Sequence, residues 1–150
     1  MESRSIEVGD VLYTVVQGES MRPVVVHWRV DRIEPAAPRT PNFIGLPAPT
    51  EGTLEVVVKP LYEAISCLES SFPLDIWPNG PGIRQRATRL RAWQDVIPRI
   101  EDDIVMFERL CERSRKSGDD PETIEDWTRD IVFLKENLRL ARRTVEGLGR

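Results

Sequence analysis

Few side chains in this sequence have the type and spacing that chemistry requires. His27 is the only histidine, and Cys67 and Cys111 are the only cysteines. The spacing of the two cysteines is not that of metal ligands. No motif supplies the hydrogen-bond partner that His27 would need to act as a general base. We therefore expect His27 at the surface or a strand edge. Both cysteines occupy apolar helical positions, which favours buried, reduced thiols.

Two acidic clusters could be considered as metal sites. They are Glu101-Asp102-Asp103 and the run Asp119-Asp120-Pro121-Glu122. Neither cluster has the oxygen-ligand spacing or the glycine of a calcium loop. Acidic residues are favourable in the first turn of a helix, so both clusters are interpreted as helix starts. The sequence predicts no metal and no cofactor.

The string Gly18-Glu19-Ser20-Met21-Arg22-Pro23 resembles the box around the nucleophilic serine of signal peptidases and related Ser/Lys proteases. The resemblance implies a hydrolase in which a neutral lysine activates Ser20. Lys59 is the candidate for that lysine. The Gly-Asp that follows the serine box in those families is absent here. A polar hairpin turn is the interpretation that we favour.

Arginines are concentrated in two segments. Residues 82–99 carry five arginines against one acid, whereas residues 101–136 carry twelve acids against six bases. If the C-terminal helices pack antiparallel, the two basic segments meet at one end and form a patch for an anionic partner. The candidate patch comprises Arg84, Arg86, Arg89, Arg91, Arg139, Arg142 and Arg143. The alternative is that Glu101–Asp103 and Glu146 neutralise these arginines as ordinary solvated ion pairs.

The helices that would carry these arginines are predicted by apolar residues at alternating steps of three and four. The first arm has Leu90, Trp93, Ile97, Ile100, Ile104, Phe107 and Cys111; the second has Ile124, Trp127, Ile131, Leu134, Leu138, Ala141, Val145 and Leu148. Gly118 and Asp120-Pro121 between them predict a reversal. We expect a helical hairpin over about 83–117 and 121–147. Pro98 should kink the first helix or begin a new one.

The N-terminal region is predicted to be β structure. Strands are expected over Val11–Val16, Val24–Ile33 and Thr53–Lys59, the second with Val24, Val26, Trp28 and Val30 on one face. The opening strands resemble those of SH3-like small barrels. The predicted fold class is α+β: a small antiparallel sheet or SH3-like barrel over residues 1–60, packed on a helical region over 61–150 that shares its core.

Two loops carry large apolar residues. Residues 35–52 contain five prolines, and residues 72–82 follow a short helix predicted over 61–70. Proline at this density opposes both helix and ladder pairing. The loop residues proposed to bind a partner are Phe43, Ile44, Leu46, Ile76 and Trp77. The alternative is that these side chains fill the space between the β module and the hairpin.

Composition sets the remaining expectations. The 150 residues carry a net charge of −4. No apolar run is long enough to predict a membrane-spanning helix or the apolar core of a signal peptide. We expect a cytoplasmic, non-enzymatic module that binds another protein, as an adaptor or inhibitor, without a membrane. A further expectation is that two copies of the chain associate through the apolar residues of the helical hairpin, because steps of three and four form the heptad pattern of coiled coils. The alternative function is a nucleic-acid-associated factor that uses the arginines, and the third is the Ser/Lys hydrolase.

Overall fold

The computed structural model describes residues 6–18, 21–37, 52–62, 68–80 and 82–149. It confirms the α+β class, with an N-terminal antiparallel sheet and two C-terminal helices packed together. The elements are β1 (Val11–Gly18), β2 (Met21–Pro35), β3 (Leu54–Pro60), β4 (Ser70–Pro73), a 3₁₀ turn (Leu74–Ile76), α1 (Arg89–Lys116) and α2 (Pro121–Leu148). The three strands predicted from the sequence are all present: β1 and β2 extend beyond the predicted bounds, and β3 is displaced by one residue.

The sheet is a curled half-barrel whose strands follow the order β1-β2-β3-β4. Its free β1 edge is extended by one further pairing, in which the backbone N–H groups of Tyr13 and Arg86 each donate to the other's carbonyl at 2.8 Å. The chain therefore leaves β4 at one edge of the sheet and returns beside β1 at the other. This return gives the sheet its barrel-like closure.

A β-bulge in β2 changes which side chains reach the core. The register between β2 and β3 shifts between Val30 and Arg32, so Asp31 is an extra residue in the ladder. Strict alternation would place Val30 and Ile33 on opposite faces. With the extra residue, Val30 is fully buried in the core and Ile33 packs against the same core. The burial expected from the alternation predicted for β2 is observed at Val30, whereas Val24 is 47% exposed and Pro23 is buried.

Residues 61–88 differ from the sequence prediction. Leu61, Tyr62 and Leu68 are not helical, and Ser70 begins β4, so the short helix expected over 61–70 is wrong where the structure describes it. Phe72 lies in β4 rather than in a loop and is 1% exposed. The residues from Ile83 to Thr88 precede α1 instead of beginning it. The local pattern was outweighed by sheet pairing and by burial of Phe72 and Ile83 in the core.

Contacts divide the chain into two compact units. The first contains Met1–Thr14 and Val26–Thr88, and the second contains Val15–Val25 and Arg89–Arg150. The predicted boundary at residue 60 lies inside the first unit, and the single shared core stays a prediction. The core of the first unit is formed by Ile6, Leu12, Val30, Val56, Val58, Phe72 and Ile83, with Trp28, Ile33, Leu74, Ile76 and Trp77 packed against it.

In the second unit, the two helices pack through the apolar residues that the sequence predicts to face each other. We call this contact the seam. Ile100 and Leu134 are completely buried, and the rings of Phe107 and Trp127 meet edge to face at 5.4 Å. Leu148, at the end of α2, is the seam residue that remains exposed, at 43%. Burial of the facing stripes is the main stabilisation of such a helix pair, because isolated helices are marginal in water.

Two ion pairs across the seam report its register. Arg142 contacts Glu101 at 3.1 Å, and Lys135 contacts Glu108 at 3.8 Å. Moving seven residues toward the turn on α1 therefore corresponds to moving seven residues toward the turn on α2. The helices are antiparallel and in one continuous register between these pairs.

The reversal at Gly118 is confirmed. Gly118 has a φ of +72°, a conformation in which a side chain would be strained. Beyond it, the backbone N–H of Asp119 donates to the Ser114 carbonyl at 3.1 Å, and the Ser114 hydroxyl donates to the Asp119 carboxylate. Asp120 then caps α2 by accepting from the Thr123 N–H at 2.8 Å, with Pro121 as the first helical residue.

Helix α1 continues through Pro98. The 28-residue helix contains this proline inside its span, and Pro98 is exposed. Proline removes one backbone hydrogen bond and crowds the preceding turn, which is tolerated here at a solvent-facing position. A new helix beginning at Pro98 is therefore wrong, and the unbroken apolar pattern across it is confirmed.

The seam makes a direct prediction about stability. Replacing Leu134, which is 0% exposed, by alanine should lower the free energy of unfolding by about 2–5 kcal/mol, because the cavity adds to the lost burial. The matched control is Val132→Ala two residues away, where the side chain is 50% exposed and the change should stay within about 0.5 kcal/mol. Urea unfolding followed by circular dichroism measures both. Equal losses in the two variants would contradict the seam.

Candidate functional site

The end of β1 and the start of β2, residues 15–18 and 21–25, which we call the strand turn, belong to the same compact unit as the helices and are anchored to both of them. Arg99 of α1 donates through its guanidinium to the Val15 carbonyl at 3.0 Å. Asn137 of α2 donates through its side-chain amide to the Met21 carbonyl at 3.1 Å. Between these points, the Gln17 amide donates to the Asp103 carboxylate at 3.0 Å. The strand turn is therefore held on two helices by three hydrogen bonds.

This anchoring creates a hollow beside α2. Its described lining residues come from one face of α2 and from the first residues of β2, and its volume is about 300 Å³. We call it the arginine hollow. Its described lining comprises Arg22, Glu136, Asn137, Arg139, Leu140 and Arg143. Asn137 bonds to the residue that precedes Arg22, so this hydrogen bond places Arg22 at the same hollow as Arg139 and Arg143.

The arginines of the hollow differ electrostatically from their neighbour Arg142. Arg142 is neutralised across the seam by Glu101. Within the described part of the chain, no carboxylate forms an ion pair with Arg22, Arg139 or Arg143. All three are exposed. Their charge is therefore available to an anionic group from outside, which is the chemistry that this hollow offers.

The seven arginines that the sequence predicts as one patch come from both compact units. Arg84 and Arg86 lie in the first unit, and the other five lie in the second. Arg86 has a structural role there, because its guanidinium donates to the Pro78 carbonyl at 3.0 Å while its backbone pairs with Tyr13. Of the patch, only Arg139 and Arg143 line the hollow.

Two of the five apolar loop residues predicted to bind a partner lie in the described part of the chain. Ile76 and Trp77 are half-buried and pack against the core of the first unit, where the Trp77 ring stacks on Phe72 at 5.1 Å. Core packing accounts for both side chains, and their role in partner binding stays a prediction. Phe43, Ile44 and Leu46 lie outside the described residues.

The surroundings of Lys59 are unlike those of a catalytic lysine. Its ammonium nitrogen lies 3.7 Å from the Asp31 carboxylate and 3.6 Å from that of Glu69. Both contacts are ion pairs with carboxylates, whereas the lysine of those proteases is held in an apolar site. Ser20 lies outside the described residues. The geometry at Lys59 therefore gives the hydrolase hypothesis no support.

The remaining chemistry-bearing residues have ordinary surroundings. His27 is half-buried, with its ring edge-on to Tyr13 at 5.3 Å. Cys111 is a buried free thiol, as expected, and Cys67 lies outside the described residues. No cluster of three or more potential metal ligands occurs among the residues that the structure describes. None of the described helices is both long and apolar enough to cross a membrane.

Four residues of the hollow, Arg22, Glu136, Asn137 and Leu140, are not among the site residues that the sequence predicts; Arg22 and Asn137 are the two that define its geometry. Arg22 was assigned only to a polar turn, because nothing local connects it to residues 117 positions or more away. Asn137 lies beside the predicted seam residue Leu138, yet Asn137 is the one that is buried, at 2% exposure. A polar residue next to a heptad position is a weak signal. It points to buried hydrogen bonding only once a partner is known.

Comparison with known proteins adds no further identification: no family model, curated protein or solved structure matches this chain. The function proposed below therefore depends on the geometry of the chain itself.

The ion pairs around Lys59 predict how stability depends on pH. Hydrogen bonds from Arg32 to both oxygens of Glu69, at 3.0 and 3.2 Å, lower the pKa of Glu69 below its usual value of 4.5. The folded state therefore favours the carboxylate. The resulting stabilisation is present above about pH 4.5 and is lost as the pH falls through the lowered pKa.

The test is Glu69→Gln, which removes the ionising group. We expect this variant to be less stable than the wild type at pH 7, with a difference that shrinks on acidification and at high salt. The control is Asp75→Asn, an exposed acid of the same unit outside this cluster. Urea unfolding at pH 3 to 7 measures both variants. A deficit in Glu69→Gln that is constant across this range contradicts the assignment.

Proposed function

We propose that this chain is a non-enzymatic binding module that takes an acidic segment of a partner protein at the arginine hollow. The observation that carries the proposal is the convergence of Arg22, Arg139 and Arg143 on one hollow of about 300 Å³ without a carboxylate ion pair from the described chain. Arginine presents a planar fork of donors that matches a carboxylate. A concave surface with convergent donors is suited to a side chain of a partner.

The lining favours a protein partner over nucleic acid. Glu136 contributes a negative charge to the hollow, which opposes a continuous phosphate backbone. No aromatic side chain belongs to the described lining, so there is no platform on which a base could stack. Leu140 adds an apolar contact next to the arginines, as is typical of protein interfaces. The nucleic-acid alternative therefore has less support from the hollow itself.

Self-association through the heptads also has little support. The seam residues Ile100, Ile104 and Leu134 are at most 7% exposed within one chain. Apolar surface that is already buried provides no drive for pairing with a second copy. The exposed basic hollow is the better candidate for the interaction surface.

The experiment compares binding of acidic peptides to two single variants of α2. We expect the immobilised wild-type protein to retain a peptide pool with fixed glutamates, and this binding should weaken as salt is added. We expect Arg139→Ala to reduce retention roughly fivefold, which corresponds to about 1 kcal/mol for a charge-assisted contact.

The matched control is Arg142→Ala. It removes the same charge from the same helix, but from a residue that is already paired with Glu101. We expect its retention to remain close to that of the wild type. Equal losses in both variants would indicate nonspecific attraction to α2, and preferential retention of single-stranded DNA would favour the nucleic-acid alternative.

A further inference from the structure

The charge balance of the arginine hollow indicates which anion it accommodates. Its described lining carries three guanidinium groups and one carboxylate, which leaves two positive charges. A glutamate or aspartate of a partner supplies one negative charge, whereas a phosphate monoester supplies about two at pH 7. We propose that the arginine hollow binds a phosphorylated serine or threonine side chain of the partner. This inference rests on the function proposed above and specifies its ligand.

The arrangement of the donors agrees with this ligand. Arg139 and Arg143 are four residues apart on α2 and so lie one turn apart on the same helix face. Arg22 approaches from the strand turn, which is a different element. Three guanidinium groups from two elements can each donate to one of the three terminal oxygens of a phosphate. A phosphate offers one terminal oxygen to each arginine, whereas a carboxylate offers the three arginines two oxygens and a single charge.

Glu136 and Asn137 restrict the choice further. Glu136 repels additional negative charge, so an isolated dianion is favoured over a polyanion. Asn137 is 2% exposed and donates to the Met21 carbonyl, which fixes the backbone next to Arg22 at this side of α2. The composition of the hollow therefore suits one compact, doubly charged group.

The test uses three degenerate peptide pools that differ only at a fixed central position, which is phosphoserine, glutamate or serine. The pools are passed over the immobilised full chain at moderate salt, and retention is quantified by mass spectrometry. We expect the phosphoserine pool to be retained about tenfold better than the glutamate pool, since each added charge-assisted hydrogen bond contributes about 1.5 kcal/mol. The serine pool should not be retained.

Three variants test whether the phosphoserine pool binds at the hollow, and a fourth, Arg142→Lys, is the control. Arg139→Lys and Arg143→Lys keep the charge but lose the donor fork, so each should reduce the phosphoserine preference, whereas Arg142→Lys should not. Glu136→Gln removes the opposing charge and should increase retention of the phosphoserine pool. Inorganic phosphate is the independent probe, and it should shift the NMR signals of the Arg22, Arg139 and Arg143 side chains.

Each result decides between the two proposals. Retention of the glutamate pool equal to or above that of the phosphoserine pool overturns the phosphate assignment and leaves the acidic-partner module standing. Retention of no pool, together with no phosphate-induced shift, overturns both. A phosphoserine preference that persists in Arg139→Lys and Arg143→Lys overturns the assignment to this hollow.

Discussion

The arrangement of the second unit depends on which groups form hydrogen bonds with the backbone at the two exposed edges of the strand turn. Backbone N–H and C=O groups of a strand need partners, and a two-stranded ribbon has two edges without a neighbouring strand. Here the helices supply the partners, with Arg99 bonding to the Val15 carbonyl on β1 and Asn137 bonding to the Met21 carbonyl on β2. Pro23 has no N–H to satisfy and is buried. One residue pair on each edge therefore ties the ribbon to the hairpin.

This solution requires a polar side chain inside the helical unit. Asn137 is almost completely buried, and a buried amide is costly unless it is hydrogen-bonded. An apolar residue at this position would pack against the strand turn without fixing its position along α2. The directional bond to the Met21 carbonyl determines which residues of β2 lie opposite which residues of α2. The hollow is a consequence of this constraint, because it lies between the two elements that the bond joins.

Sequence periodicity predicted the elements well and their long-range pairings poorly. The helical hairpin, its reversal at Gly118 and three strands follow from local spacing, cap residues and β-branched runs, and the structure confirms them. The bulge at Asp31, strand β4 and the pairing of Tyr13 with Arg86 all depend on partners distant in the chain. The predicted basic patch includes Arg139 and Arg143 but not Arg22, because Arg22 comes close to them only through contacts between segments distant in the chain. Local patterns indicate what a segment can form, but not which neighbour will pair with it.

The phase of α2 explains why neighbouring arginines have different roles. Successive residues of a helix are separated by about 100°, so Arg142 and Arg143 point in different directions although they are adjacent in sequence. The antiparallel register brings Arg142 opposite Glu101 of α1, and the resulting ion pair helps to align the seam. Arg139 and Arg143 share the face that borders Arg22 of the strand turn, and neither forms an ion pair with a carboxylate of the described part of α1. The same helix thus uses one arginine to align the hairpin and presents two others, together with Arg22, to an external anion.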